Sequence, residues 1–197
     1  MTKLKPRSKL AFRRRREART DYYQRRGLLK SKALRLAIRA SLSHVNAQFI
    51  QSELKGDHIV TAASSVELPR LYGWKASTGN LPAAYLTGLL AGYKAKKKGI
   101  TEAILDVGVK KPLPGSRVYS TVKGVLDAGI SIPMGEGVLP NESRIQGEHI
   151  AEYAKTLTDP ALKQRRFSSY LNASLQPEDI TSHFQEVKEE IGKAFGV

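Results

Sequence analysis

Seven arginines stand within fourteen residues near the N-terminus: Arg13, Arg14, Arg15, Arg16, Arg19, Arg25 and Arg26, with Tyr22 and Tyr23 among them. Adjacent guanidinium groups repel one another unless a counter-anion lies between them. Arginine forks onto phosphate oxygens and stacks flat on bases, and tyrosine adds a second stacking face and a hydroxyl. The chemistry this pattern suits is capture of a polyanion, and RNA fits it better than a lipid surface. A membrane-surface helix needs an apolar face, and residues 12–30 offer only Phe12, Leu28 and Leu29 besides the tyrosines.

Other residue constellations are weaker. Cysteine is absent, which removes disulfides, thiolate metal sites and a thiol nucleophile, and fits a reducing compartment. His44, His58, His149 and His183 are scattered without ligand spacing. Glu148-His149 with Glu152 has the makeup of an acid–base pair but reads as an ordinary exposed helix face. Asp106, at a strand end, is a candidate magnesium ligand for a nucleic-acid enzyme, with no partner carboxylate evident from spacing. Residues 104–122 form a strand–loop–helix without a G-x-x-x-x-G-K-[ST] loop, and Gly135-Glu136-Gly137 lacks the third glycine of a dinucleotide fingerprint. Gly115, Ser116 and Arg117 open a helix that either holds one backbone phosphate or is simply capped, and the two readings stay equally open. No catalytic residue, metal site or cofactor is expected.

These side chains need a scaffold. Leu34, Leu36, Ile38 and Ala40 alternate with Arg35, Ala37 and Arg39, which predicts a half-buried strand with arginines on its outer face. A polar turn over 41–44, a strand over 45–51, a turn at Lys55-Gly56-Asp57 and a strand over 58–63 complete an antiparallel meander. Residues 67–79 read as loop. Asn80 caps a helix with Pro82 in its first turn, running to about Lys98 and stopping at Gly99. Lys94, Lys96, Lys97 and Lys98 suit its negative end, and the Ala84, Gly88, Gly92 stripe suits close packing on a sheet. A fourth strand over 100–107, a helix ending near Gly129, a short strand over 130–133 and a helix over 142–155 follow. Residues 156–176 read as irregular. Pro177, Glu178 and Asp179 open a last helix with Ile180, Phe184, Val187 and Ile191 on one face, packed on the body or on a neighbour. The fold class is α/β with an α+β-like mixed sheet: a three-strand antiparallel meander, then a helix–strand–helix crossover.

Charge divides the chain unevenly. Residues 1–40 carry 15 Lys and Arg against Glu17 and Asp21, whereas the other 157 residues carry 18 basic and 16 acidic groups. Nearly all of the formal +15 therefore belongs to one segment, and such a field favours a polyanionic partner. The expected organisation is a basic arm over 1–33, an α/β domain over 34–156 and a helical tail over 157–197. The longest apolar stretch, Leu81 to Tyr93, has 13 residues, short of the roughly 20 a membrane span needs. The basic N-terminus has no apolar segment of a signal peptide.

Several ordered segments carry a resemblance: residues 12–23 (FRRRREARTDYY), Tyr72-Gly73-Trp74, residues 78–92 (TGNLPAAYLTGLLAG), Gly115-Ser116-Arg117-Val118, residues 123–133 (KGVLDAGISIP) and the stretch from Arg144 to Tyr153. Together they resemble the ribosomal protein L-eighteen family of archaeal type, over roughly residues 5–156. The resemblance implies a non-enzymatic protein of the large ribosomal subunit that binds 5S rRNA and anchors it beside 23S rRNA and ribosomal protein L-five, in the cytoplasm. It further implies that Arg13, Arg14, Arg15, Arg16, Arg19, Tyr22, Arg25 and Arg26 thread along RNA, continued by Lys30, Lys32, Arg35 and Arg39. Ser41, Ser43, His44, Asn46 and Gln48 match the family's sheet-edge RNA surface, and Ser116, Arg117 and Tyr119 its loop near the second helix. The long C-terminal extension of eukaryotic members is missing. From the residues alone, a general RNA chaperone or a magnesium-dependent nucleic-acid enzyme are the alternatives.

Overall fold

The computed structural model describes residues 10–196; the first nine residues of the arm lie outside it. In chain order the described elements begin with α1 (Arg13–Arg16), α2 (Tyr22–Lys30), β1 (Arg35–Ala40), β2 (Val45–Glu53), β3 (Gly56–Ser64), α3 (Glu67–Leu71), α4 (Leu81–Lys96), β4 (Ile104–Asp106) and α5 (Arg117–Asp127). They continue with α6 (Glu142–Gln146), α7 (Glu148–Thr156), α8 (Pro160–Arg166), α9 (Ser168–Asn172), a 3-10 turn (Pro177–Asp179) and α10 (Ile180–Phe195).

The sheet order is β3-β2-β1-β4. The meander is antiparallel, with Leu36 opposite Phe49 and Phe49 opposite Thr61, and β4 joins β1 in parallel, Leu36 beside Leu105. This is the expected mixed sheet, with α4 as the crossover from β3 to β4. The alternation puts Leu36, Ile38, Val45, Ala47, Phe49 and Ala63 on one buried face against α4 and α5. The edge of β3 is closed by α4: the ammonium groups of Lys94 and Lys98 donate to the carbonyls of Ala62 and Val60. These lysines therefore satisfy an edge strand, a task beyond the helix-end role read from their position.

Helix α4 is buried along its whole course from Leu81 to Gly92. A helix apolar on all sides must be enclosed on all sides. The sheet lies on one side of α4, and the helical layer carrying Ile145, Ala151, Phe167, Tyr170, Ile180, Phe184, Val187 and Ile191 lies on the other. Its start is fixed by Asn80, whose side chain accepts from the backbone N–H of Ala83 at 2.8 Å. The small-residue stripe faces α5, not the sheet. A Cβ on Gly88 would stand 2.0 Å from the carbonyl oxygen of Thr121, and one on Gly124 would stand 2.2 Å from that of Tyr85. The two helices touch through bare backbone at these points.

Several boundaries differ from the sequence expectation. Residues 67–71 are helical, and the fourth strand is only Ile104–Asp106. The expected strand over 130–133 shrinks to a single bridge between Ser131 and Glu102. The expected helix over 142–155 is broken at Gly147, whose φ of +90° ends α6 and opens α7. The segment read as irregular holds α8, capped by Asp159, and α9. Phe167, at the junction of the two, packs edge to face on Tyr170 at 5.5 Å and tilted on Tyr153 of α7 at 6.0 Å, a short cluster that leaves local periodicity faint. The last helix packs on the body: Phe184 meets Tyr85 with ring centroids 5.6 Å apart, and His183 stacks on Trp74 at 5.2 Å.

Candidate nucleic-acid interface

The arm meets the sheet through carboxylates. Asp21 caps α2 by accepting from the N–H groups of Tyr23 and Gln24 at 2.9 and 3.1 Å. That places Arg25 one turn further on, where its guanidinium forks onto Asp57 at 2.9 and 2.8 Å. Asp57 sits in the β2–β3 turn region and also receives Arg35 at 2.8 Å. Arg35 continues inward to Asp106 at 2.8 Å, and Arg39 reaches the other oxygen of Asp106 at 3.1 Å. Three arginines and two aspartates thus form one chain from the arm across the sheet face remote from α4. The Arg25 hydrogen bond and then Arg35 hold the Asp57 carboxyl at about 2, against the upward push of burial. The same bond raises Arg25 above its ordinary value.

This chain changes the standing of the strand arginines. Arg35, expected on an outer RNA-contacting face, is 2% exposed and bound to both aspartates. Its buried position follows from docking of the arm over the sheet, which a strand pattern does not reveal. Arg39 stays half exposed, with its guanidinium anchored on the carboxylate and backbone carbonyl of Asp106.

The arm cations fall into two sets. Arg13 pairs with Glu17 at 2.8 Å, Arg19 with the same carboxylate at 3.4 Å, and Arg14 donates to the Thr20 hydroxyl at 2.9 Å. Arg15, Arg16, Arg26, Lys30 and Lys32 are exposed and have no ion-pair partner among the described residues. Tyr22 is half-buried against Phe12, edge to face at 5.3 Å, while its neighbour Tyr23 is 90% exposed.

The β1–β2 turn is held rigidly. Ser41 and His44 bond each other across it, Thr78 donates to the Ser43 carbonyl at 2.7 Å, and the Thr78 hydroxyl lies 3.1 Å from Nδ1 of His44. Arg117 donates to the carbonyls of Ser41, Leu42 and Gly79, so its guanidinium splices the turn to the start of α4. Ser41, Ser43 and His44 remain exposed around Leu42, itself 93% exposed. Asn46 and Gln48 lie on β2, an interior strand of the sheet and not its edge, opposite Arg39 and Ala37. They point away from the buried face that holds Val45, Ala47 and Phe49. At the start of α5, Ser116 does not cap: its buried hydroxyl has no hydrogen-bond partner among the described residues. Tyr119 is half-buried one turn along.

A cleft of about 410 Å³ opens between the arm, the ends of β1 and β4 and the start of α5. Arg19, Arg39, Lys110, Lys111 and Arg117 line it, and among the described residues no carboxylate does. Lys110 and Lys111, in the loop four and five residues beyond the end of β4, are not candidates on the sequence reading, although a lysine pair in a loop after a strand is a usable signal. In the sequence Asp57 is only a turn residue, because nothing local marks it as the partner of an arginine 32 positions away.

Asp106 is occupied by two guanidinium groups, which leaves it poorly placed as a magnesium ligand. Among the described residues no three His, Asp or Glu side chains converge as a metal site, and no helix is long and apolar enough to cross a membrane.

Comparison with known proteins bears on the family. A family model described as ribosomal large subunit proteins 60S L5 and 50S L18 matches residues 6–101. The large ribosomal subunit protein uL18 of Aeropyrum pernix is 46% identical over 192 residues, spanning 96% of this chain and 90% of that protein. The protein of the same name from Desulfurococcus amylolyticus is 47% identical over 190 residues, spanning 96% of this chain and 97% of its own. Similarity of this degree, carried through arm, sheet and helical layer alike, makes the chain a member of the uL18 family of large-ribosomal-subunit proteins, archaeal type.

Proposed function

We propose that the protein is a non-catalytic structural constituent of the large ribosomal subunit that binds 5S rRNA and fastens it beside 23S rRNA. Membership of the uL18 family supports the ribosomal role. The observation that carries RNA binding is the arm: a row of exposed cations from Arg15 to Lys32, laid over a sheet by carboxylates that leave most of the row free. The arm offers phosphate contacts, and the exposed residues Ser41, Ser43, His44 and Asn46 with the half-buried Gln48 offer base-edge contacts. Arg35 and Arg117 serve this surface indirectly, one beneath the arm and one behind the turn. Ribosomal protein L-five is the expected protein neighbour, and the ribosome of the cytoplasm the expected location.

The test is filter binding with 5S rRNA at two ionic strengths, with transfer RNA as competitor. Six to ten phosphate contacts predict a loss of roughly 10³–10⁵ in affinity between 50 and 200 mM salt. Transfer RNA competing as well as 5S rRNA indicates a general RNA chaperone instead, and salt-independent binding contradicts the proposal.

A further inference from the structure

The cleft beside the arm has an architectural position that the arm's charge does not explain. β1 and β4 are neighbouring parallel strands, so their carboxyl ends open on the same side. From there the chain leaves in opposite directions: β1 turns back into β2, and β4 proceeds into α5. In open α/β sheets the crevice outside such a switch of direction is a recurrent ligand seat, because the two loops part and no side chain fills the gap. The cleft lies there, bounded by Arg39 and Ala40 from β1, by residues 107–112 after β4 and by residues 116–118 at the start of α5.

Its wall is divided by chemistry. Ile38, Ala40, Val107, Val109, Pro112 and Val118 give it apolar surface. Cations stand around these, and they are not equivalent. The guanidinium of Arg39 is anchored on Asp106 and that of Arg117 on three carbonyls. Lys110 makes one long bond, 3.3 Å, to the carbonyl of Ala40. Lys111 has no ion-pair or hydrogen-bond partner among the described residues, and Arg19 is mostly exposed, its guanidinium held only by the 3.4 Å contact with Glu17. A site with apolar walls, exposed cations at the rim and no carboxylate among its described lining residues fits a group that is flat and weakly polar at one end and anionic at the other. The volume of about 410 Å³ falls in the range of small-molecule sites. The arm that lines one side is itself the proposed RNA track, so an RNA lying on the arm passes the mouth of the cleft.

We infer that this cleft seats one unstacked nucleotide of the bound RNA, its base against the valine-lined wall and its phosphate between Arg19, Lys110 and Lys111. Sequence-selective RNA contacts generally use bases splayed from the stack in this way. The inference rests on the RNA-binding proposal and adds to it a base-accepting site distinct from the exposed arm.

The experiment measures 5S rRNA binding by the full chain and two sets of variants. Val118→Phe and Ala40→Leu fill the cleft without altering charge. Burial of about 60 Å² of base at about 25 cal/mol per Å² corresponds to roughly tenfold in affinity. Both filling variants are therefore expected to bind about tenfold more weakly, with an unchanged slope of log affinity against log salt. Lys111→Ala is expected to weaken binding and reduce that slope by about one. Filling variants that melt like the unaltered protein and bind as tightly overturn the inference while leaving the RNA-binding proposal intact. If the unaltered protein itself ignores 5S rRNA, both fall. Should a filling variant fail to melt cooperatively, ultraviolet cross-linking of the unaltered complex decides: a base attached to a residue of 107–112 or to Val118 supports the cleft, and the absence of any such attachment overturns it.

Discussion

Arg25 on the arm and Asp57 in the body form a two-pronged bond, 2.9 and 2.8 Å, across 32 residues of sequence. The same carboxylate takes Arg35 from within the sheet. An acid placed among cations proposed to bind RNA lowers the local positive potential, so its presence needs a reason. Pre-organisation supplies one: a docked arm meets RNA without first losing conformational freedom.

This gives Asp57→Asn a diagnostic sign. If the field alone mattered, removing a negative charge would tighten RNA binding. We expect the reverse, a loss of about fivefold, on the order of 1 kcal/mol. Filter binding with 5S rRNA decides, and tighter binding by the variant would show that docking of the arm is irrelevant to affinity.

Acid should release the arm. The folded Asp57 carboxyl is depressed to about 2 from an ordinary 3.8. A depressed carboxylate contributes stability that is fully present above the unfolded value and is lost as pH falls through the folded one. Docking should therefore be constant above about pH 5 and weaken between roughly pH 4 and pH 2. Limited digestion by pepsin, which is active in acid and cuts beside aromatic residues and leucine, would report it as faster cleavage near Tyr23 and Leu29; in Asp57→Asn the acid-linked change should be absent.

Gly88→Ala should be among the most damaging small substitutions in the chain. The added Cβ would lie 2.0 Å from the Thr121 carbonyl oxygen, so α4 and α5 must separate. Overpacking against backbone costs about 3 kcal/mol or more. Thermal melting should show a drop of several degrees, whereas Gly27→Ala, with open space around it, should change stability by less than about 1 kcal/mol.

Deleting residues 1–33 should weaken 5S rRNA binding by more than about tenfold and leave a cooperative melt. Helices α1 and α2 contain no buried residue, and Asp57 keeps Arg35 as a partner. Circular dichroism with heating checks the fold. A non-cooperative transition would make the arm part of the core.

The sequence by itself determined the features that depend on neighbours in the chain. Alternation of apolar residues defined the three-strand meander, Asn80 and Pro82 fixed the start of α4, and the excess charge of residues 1–40 pointed to a polyanion. Those signals are local or compositional, so one strand or one helix reveals them. Tertiary structure decided whatever depends on partners distant in sequence. It buried Arg35 beneath the arm, set Arg117 behind the β1–β2 turn, turned the glycine stripe of α4 toward α5 and joined the last helix to the body. It also brought Arg19, Lys110 and Lys111 to one cleft. The physical reason is that ion pairs, backbone contacts between helices and cavities at strand ends exist only once separate segments meet, and a residue's own neighbours in sequence carry no record of them.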